Sequence, residues 1–299
     1  MGGKEIPVDL RNPGQVFACL GFLEAADILC GPAEGGFDWR NGEKFVLDAA
    51  GSEHPVKAVL EFLVASSVRR VAPTGWTDPP KKGKASKATK SEDAEDDLDA
   101  IETTCEFPAK EAERMALPIR LGGGNVPQIS VGHWADGSGR NTFKLYAGNR
   151  SAAKIAADML ELIRTLWKTQ RSAVVKQPLD VLCPMAGSFN FDPRGAWTAI
   201  DVGYSPDKHK VRGANVQASP IVELMAAWGL EHARPDEFDV RKVRYAVWRD
   251  MLPPMLARAA LSGSLATIAM RHFRFDLSMS GKNKVVCFAQ EEHVRDRNQ

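Results

Sequence analysis

The side chains best suited to chemistry in this sequence are cations that lie beside aromatic residues in three short segments. The candidate nucleic-acid-binding residues are Arg140, Lys144, Asn149 and Arg150 in the first segment, Arg241, Lys242, Arg244 and Trp248 in the second, and Arg271, Arg274, Lys282 and Lys284 in the third. Arginine and lysine neutralise phosphates, and aromatic rings stack on bases. Salt bridges across an exposed sheet would produce the same pattern, so both interpretations stay open.

Motifs for catalysis are absent from the sequence. The six histidines lie more than five residues apart, no H-E-x-x-H, P-loop or G-x-S-x-G motif occurs, and the five cysteines form no C-x-x-C. We therefore expect no catalytic residue, no metal and no cofactor. Metal-independent RNA cleavage needs only one acid–base side chain. For that alternative the best candidate is His272, beside Arg271 and Arg274 on a strand face expected to be polar.

Helix signals indicate how these groups are positioned. Asn12-Pro13-Gly14 precedes an apolar helix that is predicted to run to Leu29, and Gly21 in its middle indicates close packing against a neighbouring backbone. Ser151 is predicted to cap a further helix. Ser219-Pro220 begins a segment that resembles the first helix, with proline at its start and glycine in its body. Two more helices are predicted over residues 55–70 and 254–261.

Alternating apolar residues and turn signals predict the strands. Asn41-Gly42 indicates a hairpin over residues 36–47, and a second hairpin is predicted over residues 273–289. Strands are also expected over residues 128–134, 142–146 and 243–248. The fold class is therefore α+β, with antiparallel hairpins interspersed with helices. The organisation is an N-terminal α+β region, 1–172, and a C-terminal α+β region, 173–299, or one continuous domain.

Charge and composition limit the classes of partner. The 39 Lys and Arg balance 38 Asp and Glu, so the net charge of +1 creates no general attraction to nucleic acid or to membranes. Residues 74–100 contain a lysine run followed by an acidic run and almost no apolar side chain, which predicts a disordered, mobile insertion. The N-terminal sequence lacks a secretory signal, and we expect a cytoplasmic protein with no membrane partner.

Four segments resemble proteins of type I-U (also called I-G) CRISPR-Cas loci. The segments are IPVDLRNPGQVFACLGFLEAA (6–26), KLYAGNRSAAKIA (144–156), FDPRGAWTAIDVGYSPD (191–207) and PIVELMAAWGL (220–230). The resemblance spans most of the chain outside the charged insertion. The first helix and its counterpart at 220–230 are similar to segments of large-subunit-type proteins, which favours a large-subunit-like or an accessory role.

The resemblance implies a non-catalytic subunit of an antiviral surveillance complex. Such a subunit would bind guide RNA, target DNA or other effector subunits, while a separate helicase-nuclease, recruited in trans, degrades DNA. No catalytic residue is carried over. The polar turn from Lys144 to Arg150 precedes a capped helix and would present backbone N–H groups and a cation to a phosphate. Two alternatives remain open: a metal-independent endoribonuclease of CRISPR repeat RNA, and a scaffold that contacts only proteins.

Overall fold

The computed structural model describes residues 4–77, 101–105, 116–135, 143–146, 151–185, 187–195, 217–265, 267–280 and 283–292. The helices in these parts of the chain are α1 (Pro13–Cys30), α2 (Pro55–Ala65), α3 (Ala152–Lys176), α4 (Pro220–His232) and α5 (Pro254–Leu261). The strands are β1 (Glu5–Pro7), β2 (Ala33–Asp38), β3 (Lys44–Ala49), β4 (Ser67–Pro73), β5 (Ile101–Cys105), β6 (Ile119–Gly123), β7 (Val126–Val131), β8 (Cys183–Pro184), β9 (Gln217–Ala218), β10 (Asp236–Asp239), β11 (Lys242–Trp248), β12 (Met270–Ser280), β13 (Asn283–Val286) and β14 (Gln290–Glu292). The predicted α+β class is confirmed.

Helices α1 and α4 cross at the centre of the core. A Cβ atom on Gly21 would lie 2.0 Å from the carbonyl oxygen of Met225, and a Cβ atom on Gly229 would lie 2.2 Å from that of Phe17. Gly21 on α1 therefore leaves room for the backbone of α4 at Met225, four residues before Gly229. Gly229 on α4 leaves room for the backbone of α1 at Phe17, four residues before Gly21. This confirms the close packing predicted for Gly21. The glycine that the two helical segments have in common is thus the residue at which α1 and α4 contact each other.

The three helices that begin after a polar cap start where the local sequence places them. The side chains of Asn12, Ser151 and Ser219 accept hydrogen bonds from backbone nitrogens three residues on, at 3.1, 3.2 and 3.3 Å. A side-chain oxygen at this position satisfies a backbone donor that has no partner inside the helix. The caps therefore define the starts of α1, α3 and α4.

Three larger sheets contact the helices. Their strand orders are β1-β3-β2, β5-β4-β6-β7 and β10-β11-β12-β13, where β14 also pairs with β12. Adjacent strands pair antiparallel except β4 with β5. Gly35 in β2 exchanges two backbone hydrogen bonds with Leu252, of 2.9 and 3.0 Å. The first sheet therefore adjoins the segment that follows β11.

The apolar length of α1 is explained by its position in the core. This helix is the one described segment with the length and hydropathy of a membrane span, and 78% of that window is buried inside the protein. Phe17 on α1 contacts the rings of Tyr245 and Phe275 on the C-terminal sheet, with ring centroids 5.8 and 6.1 Å apart. Side chains from both predicted regions thus share one hydrophobic core.

Several elements differ from the sequence-based expectation. The helix predicted over residues 55–70 ends at Ala65, because Ser66 adopts an extended conformation and the following β-branched residues enter β4. Residues 143–146 form a turn and irregular chain instead of a strand. Helix α3 continues across the expected boundary at residue 172, with a kink at Gln170. Most of the predicted charged insertion, from residue 78 to 100, lies outside the described residues.

Candidate nucleic-acid interface

The register of the C-terminal sheet brings two of the three predicted cationic segments together. Strand β11 pairs with β12 so that Lys242 lies opposite Asp276, and Arg244 lies opposite Arg274. The backbone nitrogen of Leu277 donates to the carbonyl oxygen of Arg241 at 2.8 Å, which holds the β10–β11 turn against β12. Residues far apart in the chain therefore share one sheet surface.

The third predicted segment, around Lys144, lies next to the C-terminal sheet and contacts it through a backbone hydrogen bond. The backbone nitrogen of Lys284 donates to the carbonyl oxygen of Leu145 at 2.9 Å, so the chain around Lys144 runs beside β13. The Lys144 ammonium lies 5.8 Å from the centroid of the Tyr146 ring. The four remaining predicted residues, Arg140, Asn149, Arg150 and Lys282, lie outside the described residues.

Arg244 is already engaged by carboxylates. Its Nε donates to Glu292 in a short contact, and its Nη2 donates to the other Glu292 oxygen at 2.9 Å. Asp236 lies 3.7 Å away, and the guanidinium stacks 4.4 Å from the centre of the Phe238 ring. The hydrogen bond to Glu292 raises the pKa of Arg244. This arginine therefore holds β14 to the sheet, and two of its donor nitrogens are occupied by Glu292, which differs from its predicted role as a phosphate contact.

Arg271 and Lys242 are paired in the same way. Arg271 makes two contacts of 2.7 Å to Glu291 and one of 3.4 Å to Glu43, and the bond to Glu291 raises the pKa of the guanidinium. Lys242 contacts Asp239 at 2.8 Å, although both side chains stay about half exposed. An exposed pair of this kind contributes little to stability and exchanges readily. Lys242 therefore stays accessible to a ligand, whereas Arg271 joins two sheets.

Trp248 does not face solvent, contrary to its predicted role in base stacking. Its side chain is fully buried, its indole Nε1 donates to the carbonyl oxygen of Gly35 at 2.8 Å, and its ring packs edge-on against Phe37. The segment after β11 adjoins β2, so this end of β11 lies inside the junction between two sheets. Its ring therefore packs in the core.

Two cations on this surface keep their charge unmatched. The side chains of Arg241 and Arg274 are exposed, and neither forms an ion pair or hydrogen bond within the described parts of the chain. Arg241 sits in a left-handed turn with φ of 59°. Burial lowers the pKa of the nearby Lys284 ammonium, which the charge of Glu237 partly opposes and that of Arg241 reinforces. We refer to Phe238, Arg241, Lys242, Arg274 and Lys284 as the C-terminal basic surface.

Exposed aromatic rings were missed at the level of sequence. Phe238 is 39% exposed beneath Arg244, and Phe288 is 51% exposed. The backbone nitrogen of Cys287 donates to the carbonyl oxygen of Asp276, which is the residue of β12 opposite Lys242. Phe288 is the next residue after Cys287 and therefore lies close to Asp276. The one available signal was the isolation of Phe238 among acidic residues in DEFD, where it has no apolar neighbour to join in a core. These two rings, unlike the ring of Trp248, are partly exposed to solvent.

The alternative catalytic residue, His272, is buried instead of lying on an open strand face. It is 7% exposed, its Nδ1 has no hydrogen-bond partner among the residues that the structure describes, and a Cβ on Gly263 after helix α5 would lie 3.2 Å from its ring. A general base must come within hydrogen-bond reach of the proton that it removes. Across the described ranges, no group of three His, Cys, Asp or Glu side chains is arranged to hold a metal ion. Nuclease activity stays an untested alternative.

Two buried carboxylates lie away from this surface and stabilise the fold. Glu223 on α4 accepts hydrogen bonds from the backbone nitrogens of Phe191 and Asp192, at 3.2 and 2.8 Å, and burial raises its pKa to about 7. Glu24 on α1 accepts two bonds of 2.7 Å from Arg258 on α5. Glu223 therefore holds the irregular chain at Phe191 and Asp192 against α4. Glu24 holds the short helix α5 against α1.

Comparison of the chain with protein-family models, with curated proteins and with solved structures finds no match in any of the three.

Proposed function

We propose that this protein is a non-catalytic nucleic-acid-binding subunit of a type I-U/I-G CRISPR surveillance complex. In this role it holds guide RNA or target DNA through the C-terminal basic surface and contacts other effector subunits in the cytoplasm. Strand cleavage is left to a helicase-nuclease recruited in trans. The place in a CRISPR complex comes from the sequence resemblance, and the binding role is supported by the surface described above.

The observation that carries the binding role is the pair of unmatched arginines beside an exposed ring. Arg241 and Arg274 are exposed and lack acidic partners within the described residues, while Phe238 presents part of its ring on the same sheet. Phosphate neutralisation by arginine together with stacking on an aromatic ring is the combination that holds single strands. The nearby carboxylates of Asp239 and Asp276 keep the local charge modest, so binding should be moderate and sensitive to salt.

The first experiment compares two variants that lose the same charge. The Arg241→Gln/Arg274→Gln variant removes two proposed phosphate contacts, whereas Lys168→Gln/Lys176→Gln removes two exposed lysines on α3. Each single-strand contact contributes a salt slope of about −0.7, so losing two should weaken binding of a (dT)20 strand about 25-fold in 0.1 M salt. Fluorescence anisotropy at several salt concentrations measures both quantities. Equal affinities of the two double variants would show that this surface does not bind the strand.

Stacking is tested separately with Phe238→Ala. This substitution leaves the charge unchanged, so it should lower affinity for (dT)20 with no change in the salt slope, by roughly 1–3 kcal/mol if one base stacks on the ring. Because Phe238 also supports Arg244, a thermal melt should accompany the measurement. An unchanged affinity in a folded variant would remove stacking from the proposal.

Membership of the complex is tested by copurification. The tagged protein, expressed with the effector genes of a type I-U locus and a repeat–spacer array, should copurify with effector subunits and guide RNA. The Arg241→Gln/Arg274→Gln variant should retain the protein partners and recover less crosslinked nucleic acid. Copurification of protein partners with no crosslink to nucleic acid, in the wild type as well, would favour the scaffold that contacts only proteins.

A further inference from the structure

Helix α5 carries apolar side chains on its outward side as well as on the side that faces the core. Ala257, Ala260 and Leu261 are buried in the core. Met255 and Leu256 lie on the other side of the helix and are 75% and 43% exposed. A helix that is apolar on all sides is normally buried on all sides. The outward side of α5 therefore differs from an ordinary solvent-facing helix surface, which is polar.

Helix α1 extends this apolar surface. Arg258 on α5 donates two hydrogen bonds of 2.7 Å to Glu24, which holds α5 beside α1. The chain that leads into α5 is hydrogen-bonded to β2, the strand that follows α1, so α5 begins beside the end of α1. Ile28 lies one turn after Glu24 and is 48% exposed, and Met255 lies one turn before Arg258. We refer to Ile28, Met255 and Leu256 as the α5 patch.

The charged groups around the α5 patch have an excess of carboxylates. They are Glu24, Asp27, Glu34, Arg249, Asp250 and Arg258. The hydrogen bond with Glu24 raises the pKa of Arg258, and the charge of Asp27 adds to this effect, so one arginine faces two carboxylates. Arg249 and Asp250 lie 4.0 Å apart, and the exposed Glu34 forms no ion pair within the described residues. Burial lowers the pKa of the nearby His232, so its ring adds no positive charge at neutral pH.

We propose that the α5 patch binds an amphipathic helix of a partner protein, with apolar side chains over Met255 and with lysines or arginines against the acidic rim. An apolar centre inside a charged rim is the usual anatomy of a protein–protein interface, and an amphipathic helix is a recurrent ligand for such a surface. Methionine adapts its shape to a partner because its side chain is unbranched and flexible.

Charge favours this occupant over a second copy of the chain. In a two-fold dimer the same surface meets itself, so the excess carboxylates of both copies would come together. A basic helix instead places opposite charges at the rim. The inference rests on the contact with other effector subunits in the proposed function, and it specifies the chemistry of one such partner without involving nucleic acid.

The test uses the full chain and two labelled synthetic helices, one of leucine and lysine and one of leucine and glutamate, with binding measured by fluorescence anisotropy. Met255→Ser should weaken binding of the leucine–lysine helix about 10-fold, because the apolar area of a methionine is no longer buried. Met279→Ser changes an exposed methionine on β12 and is the matched control, with unchanged affinity expected. Because both methionines are exposed, both variants should retain the melting temperature of the wild type.

The acidic rim is tested with Glu34→Gln/Asp250→Gln. This variant should bind the leucine–lysine helix about 3-fold more weakly than the wild type and with a smaller dependence on salt. The leucine–glutamate helix should bind the wild type more weakly than the leucine–lysine helix does. Equal binding of the two helices would show that the rim does not select a basic partner, and would overturn the proposal.

The remaining outcomes separate this surface from the C-terminal basic surface. If Met255→Ser binds the leucine–lysine helix as tightly as Met279→Ser does, the α5 patch is not a docking site. If sedimentation shows a wild-type dimer that Met255→Ser dissociates, the patch joins two copies and the proposal is overturned. Arg241→Gln/Arg274→Gln should bind the leucine–lysine helix like the wild type, and Met255→Ser should bind (dT)20 like the wild type. Failure of the nucleic-acid-binding role and failure of this inference therefore give different results.

Discussion

Replacing Gly21 with alanine should force the two central helices apart. The new Cβ atom would lie 2.0 Å from the carbonyl oxygen of Met225 and 3.2 Å from the backbone nitrogen of Gly229, whereas ordinary contacts begin at 3.4 Å. A helical backbone cannot rotate away as a side chain can, so α4 must move by about 1.4 Å to remove the closer contact.

Two opposing effects determine the size of the change. Helix propensity alone favours alanine over glycine by about 1 kcal/mol. Against this, a gap of about 1 Å forfeits up to half of the dispersion energy of each affected contact, and overpacked cores lose about 1–3 kcal/mol or more. Because the clash is with backbone on a fully buried helix, we expect a gross cost of about 4 kcal/mol and a net loss of about 3 kcal/mol, which corresponds to about 5 °C in melting temperature for a chain of 299 residues.

Urea denaturation followed by circular dichroism measures this loss. Ser172→Ala, at an exposed position of α3, is the control and should gain a few tenths of a kcal/mol from propensity alone. Gly229→Ala should resemble Gly21→Ala, and the double variant should lose less than the sum, because helices already separated do not clash a second time. A Gly21→Ala protein as stable as the wild type would refute the packing argument.

Two further predictions concern the buried carboxylates. The raised pKa of Glu223, about 7 against an ordinary 4.5, means that the folded state retains a proton that the unfolded state has lost, so the unfolding free energy should fall as the pH rises between these values. Glu223→Gln should flatten this dependence in urea titrations at several pH values, and an unchanged slope would contradict it. Arg258→Met should cost about 2–3 kcal/mol, because Glu24 stays buried without its partner, and Glu24→Gln/Arg258→Met should recover part of the loss. A single variant as stable as the wild type in the same assay would show that the pair contributes nothing.

Local signals predicted the helix starts and the main hairpins well. A cap such as Asn12 or Ser219 accepts a hydrogen bond from a backbone nitrogen only three residues on, so donor and acceptor lie in the same short stretch of sequence. The β2–β3 turn likewise depends on the adjacent residues Asn41 and Gly42. The end of α2 was missed by five residues, because Ser66 has no strong helix-stopping signal and only pairing of β4 with β6 makes the extended chain favourable.

The availability of cations could not be predicted from composition. Arg271 contacts Glu43, 228 residues away, and Arg244 contacts Glu292, 48 residues away. No local rule connects such pairs, because ion pairing depends on distance in space. The same limit applies to Trp248, which was predicted to bind nucleic acid because cations lie near it in the sequence, whereas in the fold the adjoining sheet covers its ring.

The amino-acid sequence by itself determined the α+β class, the capped helices, the close-packing glycine and the set of cations from which a binding surface is built. Tertiary structure alone decided which of those cations form ion pairs and which aromatic rings are exposed. The physical reason is one of range. Backbone capping and strand alternation act over a few residues, whereas electrostatic pairing and burial depend on contacts that only the folded chain creates.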